Sequence, residues 1–87
     1  MTSISDSLLS AAQCRGARGM LTWTMEDLSA RAGIARRTLQ DFESERRVPH
    51  VRNLERITST FNEAGITFLR TDKGEGVLVT LPPETAP

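Results

Sequence analysis

The chain has 87 residues, 38% hydrophobic and 25% charged, and its 11 Lys+Arg balance its 11 Asp+Glu to a formal net charge of zero. That length carries one domain with a small core, and that composition is too polar for a membrane protein and too apolar for a wholly disordered chain. Zero net charge, taken alone, argues against a nucleic-acid binder, which usually carries a basic excess. One cysteine, Cys14, and one histidine, His50, give neither an internal disulfide nor a structural zinc set. They also assemble no nucleophile–base pair, so neither an enzyme nor a cofactor is expected. No apolar run approaches the ~20 residues of a membrane span. The segment Met1–Asp6 lacks the basic and apolar parts of a secretory signal. Composition therefore points to a cytoplasmic binding module with no membrane partner.

The charge is unevenly spread. Ten of the eleven cations are arginine, and residues 15–56 hold nine of them against six acids, a net +3. Residues 57–87 carry a net −2, and Asp6 supplies the rest. Arginine suits bidentate recognition of phosphates and guanine edges better than lysine does. The same pattern also fits an ordinary solvated surface.

Residues 1–8 read as a loose, polar arm. Ser10 with Gln13 forms a capping-box pair that starts a helix running to about Leu21. Its apolar positions, Cys14, Ala17 and Leu21, recur at helical spacing. Gly16 and Gly19 inside it each cost about 1 kcal/mol against alanine, which suggests a weak helix or one that another element approaches closely. Thr24 opens a second helix, with Glu26 and Asp27 in the first turn where the dipole favours acids. Leu28, Ser29 and Ala32 face inward, and Gly33 ends it in a left-handed cap. A third helix runs from about Arg36 to Glu43 or Ser44, with Leu39 and Phe42 on its inner face. After a charged connector, a fourth helix starts near His50. Its stripe of Val51, Leu54, Ile57, Phe61 and Ala64 has a 3.6-residue period and stops at Gly65. The period then changes to that of strands at 66–70 and 77–81, joined by turn residues 71–76, a hairpin. Pro82-Pro83 ends it, and 82–87 is a tail.

Two short helices joined by a glycine turn, small residues at the crossing, an apolar plug (Ile34) and arginines on the outer face of the second helix follow helix-turn-helix logic. Such a helix fits the major groove. The stretch from Gln13 through Arg18, Leu21–Ser29, Ala32-Gly33-Ile34-Ala35-Arg36-Arg37-Thr38-Leu39, Phe42-Glu43 and Pro49 resembles the Cro/lambda-repressor-like (Xre-type) helix-turn-helix family. With helix four, the resemblance covers residues 9–65. It implies a mainly α fold, a four- to five-helix repressor-like domain with the C-terminal β-hairpin, and double-stranded DNA as partner.

The resemblance also assigns roles. Arg18 matches the helix-one arginine that pairs with the glutamate ending the recognition helix, here Glu43. Arg36, Arg37 and Asp41 match positions that face base edges, with Gln40 beside them. Arg18, Thr24, Thr38, Arg46, Arg47 and Arg52 match or flank phosphate-contacting positions, and the amides at the start of helix four can add to them. Three positions depart from the family pattern. Met25 stands where glutamine is common, Ala35 replaces the usual serine cap, and Glu45 occupies a frequent glycine position.

Blander roles stand beside these. Arg36 and Arg37 could be solvated surface, and Asp41 could simply pair with Arg37 one turn away. Trp23 reads as a half-buried packing residue, Cys14 as a small core hydrophobe, and His50 as a surface or capping residue. The hairpin has more apolar side chains than one small core face needs. One reading is a two-fold homodimer built by helix four and residues 66–81, with Phe61, Ile66, Phe68, Val77 and Val79 at the interface. The other is a hairpin with one face on the helices and one mildly exposed. Function then reads as a dimeric repressor on a short palindromic operator. The alternative is an antitoxin or antiactivator acting through a protein partner on the same fold.

Overall fold

The computed structural model describes residues 3–4 and 9–80. Helices α1 (Ala11–Leu21), α2 (Met25–Ala32), α3 (Arg36–Glu43) and α4 (Val51–Glu63) follow a short strand β1 (Ser3–Ile4). Strands β2 (Ile66–Thr71) and β3 (Gly74–Val79) complete an antiparallel sheet in the order β1-β2-β3. The fold is mainly helical with a C-terminal hairpin, and the helix count among the described residues is four.

Each helix begins where its local chemistry dictates. Ser10 Oγ accepts from the Gln13 amide at 3.1 Å, and Gln13 Oε1 accepts from the Ser10 amide at 3.0 Å. Thr24 and Asp27 repeat the arrangement at α2. The amide hydrogen bond from Thr24 holds the Asp27 carboxyl below the usual carboxylate range. His50 Nδ1 accepts from the Arg52 amide and caps α4. Ala35 gives α3 no side-chain cap. Gly33 ends α2 at φ 69°, and Thr22 ends α1 at φ 56°. The left-handed region strains the β-branched Thr22 as it would not strain glycine.

The core is one cluster between the helices and the inner face of the sheet. Cys14, Ala17, Leu28, Leu39, Ile57 and Phe61 are fully buried, with Ile66 and Phe68 joining from β2. Trp23 stacks on Phe61 with ring centroids 5.5 Å apart, and Phe61 meets Phe68 edge-on at 5.9 Å. Arg31 lies over the Trp23 ring, 4.4 Å from its centroid. A chain of ring contacts thus runs from Arg31 on α2 through Trp23 in the α1–α2 turn and Phe61 on α4 to Phe68 on β2.

Gln13 joins the sheet to the helices. It is 2% exposed, and its Nε2 donates to the carbonyls of Leu69 (3.1 Å) and Gly76 (3.0 Å), one on each hairpin strand. Ser10 Oγ donates to Glu75 Oε2 at 2.6 Å, and Arg70 holds the other Glu75 oxygen at 2.9 Å. Val77 lies against the helix at Gly16, where a Cβ would make ordinary contact with Val77 Cγ2 at 3.5 Å, whereas nothing lies within 4 Å at Gly19.

Several sequence expectations need correction. The arm read as loose pairs with β2 at Ser3–Ile4; its remaining residues lie outside those described, as do Leu81 and the 82–87 tail. The hairpin register pairs Thr71 with Gly74, so the loop is only Asp72-Lys73. Gly74, Glu75 and Gly76 are strand, not turn, because backbone pairing there overrides their turn preference. Val51 is 51% exposed and is not part of the core face of α4. Phe61, Ile66 and Phe68 were expected at a dimer interface. They are 0%, 2% and 5% exposed and fill this chain's own core, so they cannot meet a second copy. An apolar stripe looks the same in sequence whether it faces its own helices or a partner. Val77 and Val79 are half-buried against the same core.

Replacing Gln13 by Met leaves two carbonyls without their side-chain donor in a buried site. Urea unfolding should show a loss of about 2 kcal/mol. Replacing Thr22 by Gly should do the opposite and raise stability by about 1 kcal/mol, since the left-handed cap then carries no Cβ strain.

Candidate nucleic-acid interface

Helix α3 is held from one side and open on the other. Leu39 and Phe42 are sunk in the core, while Arg36, Arg37 and Gln40 are exposed. The Arg37 side chain is 84% exposed, with Nε 3.9 Å from Asp41 one turn on. Arg36 Nε lies 2.9 Å from Glu26 Oε2 on α2. Both arginines therefore sit beside an acid that restrains them without burying them. Pairs this exposed contribute little stability.

What fixes α3 is its C-terminal end. Glu43 is 6% exposed, and both its oxygens bind Arg18, Nε at 2.8 Å and Nη2 at 2.7 Å. Arg18 Nη1 also donates to the Trp23 carbonyl at 3.0 Å. Cys14 Sγ donates to Glu43 Oε2 at 3.1 Å, and Arg15 Nη1 donates to the Glu43 carbonyl. Burial, and then the neighbouring Glu43 charge, push the Cys14 thiol far above its ordinary value of 9.0. Cys14 is thus an inert core residue whose one polar group is satisfied.

The connector after α3 turns sharply. The amides of Arg46 and Arg47 both donate to the Asp41 carbonyl, at 2.8 and 3.2 Å. Glu45 takes φ 63°, in the left-handed region that favours glycine, with its carboxylate 3.5 Å from Arg15.

A groove of about 590 Å³ runs along this side, lined by Met25, Arg37, Gln40, Asp41, Glu43, Ser44 and Arg46. It gathers three of the four residues expected at base edges with one expected at phosphate. Arg36 stands outside its lining, against Glu26. Thr24 is exposed at the α2 cap, and Thr38 is half-buried. Arg47 is exposed on the connector. Arg52 lines a separate cleft with Ala32, Glu55 and Arg56, so the structure does not bring it into the first groove. At the start of α4 the amides of Arg52, Asn53 and Leu54 are already taken by His50.

A model of the Cro/C1-type helix-turn-helix matches residues 15–67, more than half the chain. The chain belongs to this family. No curated protein matches it. The helix-turn-helix family is one of DNA-binding transcription regulators and is generally non-enzymatic, and this chain is a DNA-binding regulator of that type. Among the described residues no group of His, Cys, Asp or Glu could hold a metal ion. No helix of the described residues is long and apolar enough to cross a membrane.

Sequence reasoning missed the Cys14–Glu43 bond, the Glu26–Arg36 pair and the Arg56 Nη1 bond to the Gly33 carbonyl (3.1 Å). Each joins residues far apart in the chain or on separate elements, and no local spacing signals them. A signal existed for Gln13. The capping box uses only its oxygen, which leaves an amide with two donors on a buried face.

Glu43→Ala should cost about 3 kcal/mol, because Arg18 and Cys14 lose their acceptor together. Stability should also fall as pH rises. The unfolded thiol ionises from about pH 9 while the folded thiol stays protonated, so the loss begins there and grows with pH. Denaturant titrations between pH 8 and 10.5 should show this slope in the parent chain and a weaker one in Cys14→Ala.

Proposed function

We propose that this regulator is a repressor that binds a short, roughly palindromic operator as a two-fold homodimer. In this reading α3 enters the major groove. Arg36 and Arg37 read guanine O6 and N7, Gln40 reads adenine, and Asp41 accepts from cytosine or orients Arg37. Arg18, Thr24, Thr38, Arg46, Arg47 and Arg52 lie along the phosphates, with Arg18 offering the two N–H groups that Glu43 and Trp23 do not use. Residues 9–65 form the reading head, and the hairpin of 66–81 brings the second copy. The protein acts in the cytoplasm and needs no cofactor.

One observation carries this reading. The groove of Met25, Arg37, Gln40, Asp41 and Arg46 lies on the open side of a helix whose other side is locked into the core. A lone helix reads too few bases for specificity. A two-fold pair reads half-sites about one turn (~34 Å) apart. Because the chain is neutral overall, its sequence-independent attraction to DNA should be modest. Discrimination then leans on a few base contacts.

Fluorescence anisotropy on a selected duplex and on a scrambled one, between 50 and 200 mM salt, tests this. Arg37→Ala should weaken specific binding by about 10- to 100-fold and leave scrambled-duplex binding nearly unchanged. Arg47→Ala should weaken both alike and flatten the salt slope by about one. Salt-independent affinity, or an Arg37→Ala variant as selective as the parent, contradicts the proposal.

A further inference from the structure

We propose that Met25 is a further specificity-determining residue, which reads the 5-methyl group of a pyrimidine beside the base edges met by Arg37, Gln40 and Asp41. This rests on α3 entering the major groove, as proposed above, and adds a contact made from α2. Met25 is the first residue of α2 and lines the groove along α3. Among the described residues it is the one apolar side chain there, since Arg37, Gln40, Asp41, Glu43, Ser44 and Arg46 complete the lining. It is half-buried and packs in part against the core, which leaves the rest of the side chain to the groove.

Its position is fixed from two directions. Thr24 and Asp27 cap α2 reciprocally on either side of it. Arg18 Nη1 holds the Trp23 carbonyl, two residues upstream, while the other nitrogens of the same guanidinium hold Glu43 at the end of α3. One side chain therefore anchors both walls of the groove and sets Met25 in register with α3.

The chemistry of the side chain selects its partner. Base edges in the major groove present donors and acceptors, and the thymine methyl is the one apolar group among them. Methionine has no donor and its sulfur accepts only weakly, so it gains little from a phosphate, an amino group or a carbonyl. Against a methyl it removes apolar surface from water, and its unbranched, polarisable chain adapts to the shape it meets. Cytosine methylated at C5 presents the same group at the same place. The ligand is therefore a 5-methylpyrimidine, whichever of the two bases carries it.

The test uses the parent chain, a duplex selected from random DNA, and fluorescence anisotropy. Thymines are replaced by deoxyuridine one position at a time, symmetrically in both half-sites, which removes the methyl and keeps every donor and acceptor. One position should lose about fourfold in affinity for each methyl. With cytosine at that position, 5-methylation should strengthen binding by the same factor. Met25→Gln, which keeps the length and replaces the apolar end, should lose both effects, and Met25→Leu should keep them; circular dichroism checks that both variants fold. A selected half-site without thymine, or uracil accepted at every position, overturns the role of Met25. So does a uracil penalty that is unchanged in Met25→Gln. In each of these cases a selectivity that still depends on Arg37 leaves the reading of α3 standing. A parent chain that does not distinguish selected from scrambled duplexes overturns both.

Discussion

The bidentate contact between Arg18 and Glu43 fixes the geometry on which the interface depends. It joins the last turn of α1 to the last residue of α3, and it is the point where a charged group goes almost wholly out of water. A carboxylate in that position is unstable unless its oxygens are filled. Here Arg18 fills both, and the Cys14 thiol adds a third bond. The Glu43 carbonyl is held by Arg15 in turn. Apolar contacts of Leu39 and Phe42 fix which face of α3 looks inward. The ion pair adds direction, because two parallel hydrogen bonds tolerate little rotation. The exposed arginines are thereby aimed without being held themselves.

α1 is as well fixed at its other end. Gln13 spans both hairpin strands, Ser10 reaches Glu75, and Val77 lies against the helix at Gly16. A path of direct contacts therefore runs from β3 through α1 and Glu43 to α3. This path ties the position of the hairpin to that of α3. It also explains a glutamine in the core of so small a domain. An apolar residue there would bury as much area but would leave the hairpin free to rotate on α1.

Much of this was legible in the sequence, for reasons that can be named. Helix limits are written in local chemistry: Ser10 with Gln13, Thr24 with Asp27, and Gly33 all act within four residues of themselves. The arginine and glutamate of the central pair lie 25 positions apart, and only the resemblance to known helix-turn-helix proteins joined them. The hairpin was placed correctly but its register was not, because Gly74-Glu75-Gly76 looks like a turn until Gln13 and the β2 ladder hold it straight. The partner-facing residues were misjudged most. Phe61, Ile66 and Phe68 have the right character for an interface, but the Trp23–Phe61–Phe68 stack uses them internally. Burial against oneself or against a copy is a property of topology, which residue type does not encode.

The central claim is that a firmly held α3 reads specific bases through its exposed arginines in a two-fold arrangement. Selecting bound duplexes from a random DNA pool tests it most directly. One two-fold symmetric site should be enriched, with half-sites about 10 base pairs apart and a guanine in each whose preference disappears in Arg37→Ala. A pool that stays unenriched, or a preference untouched by that substitution, would contradict it.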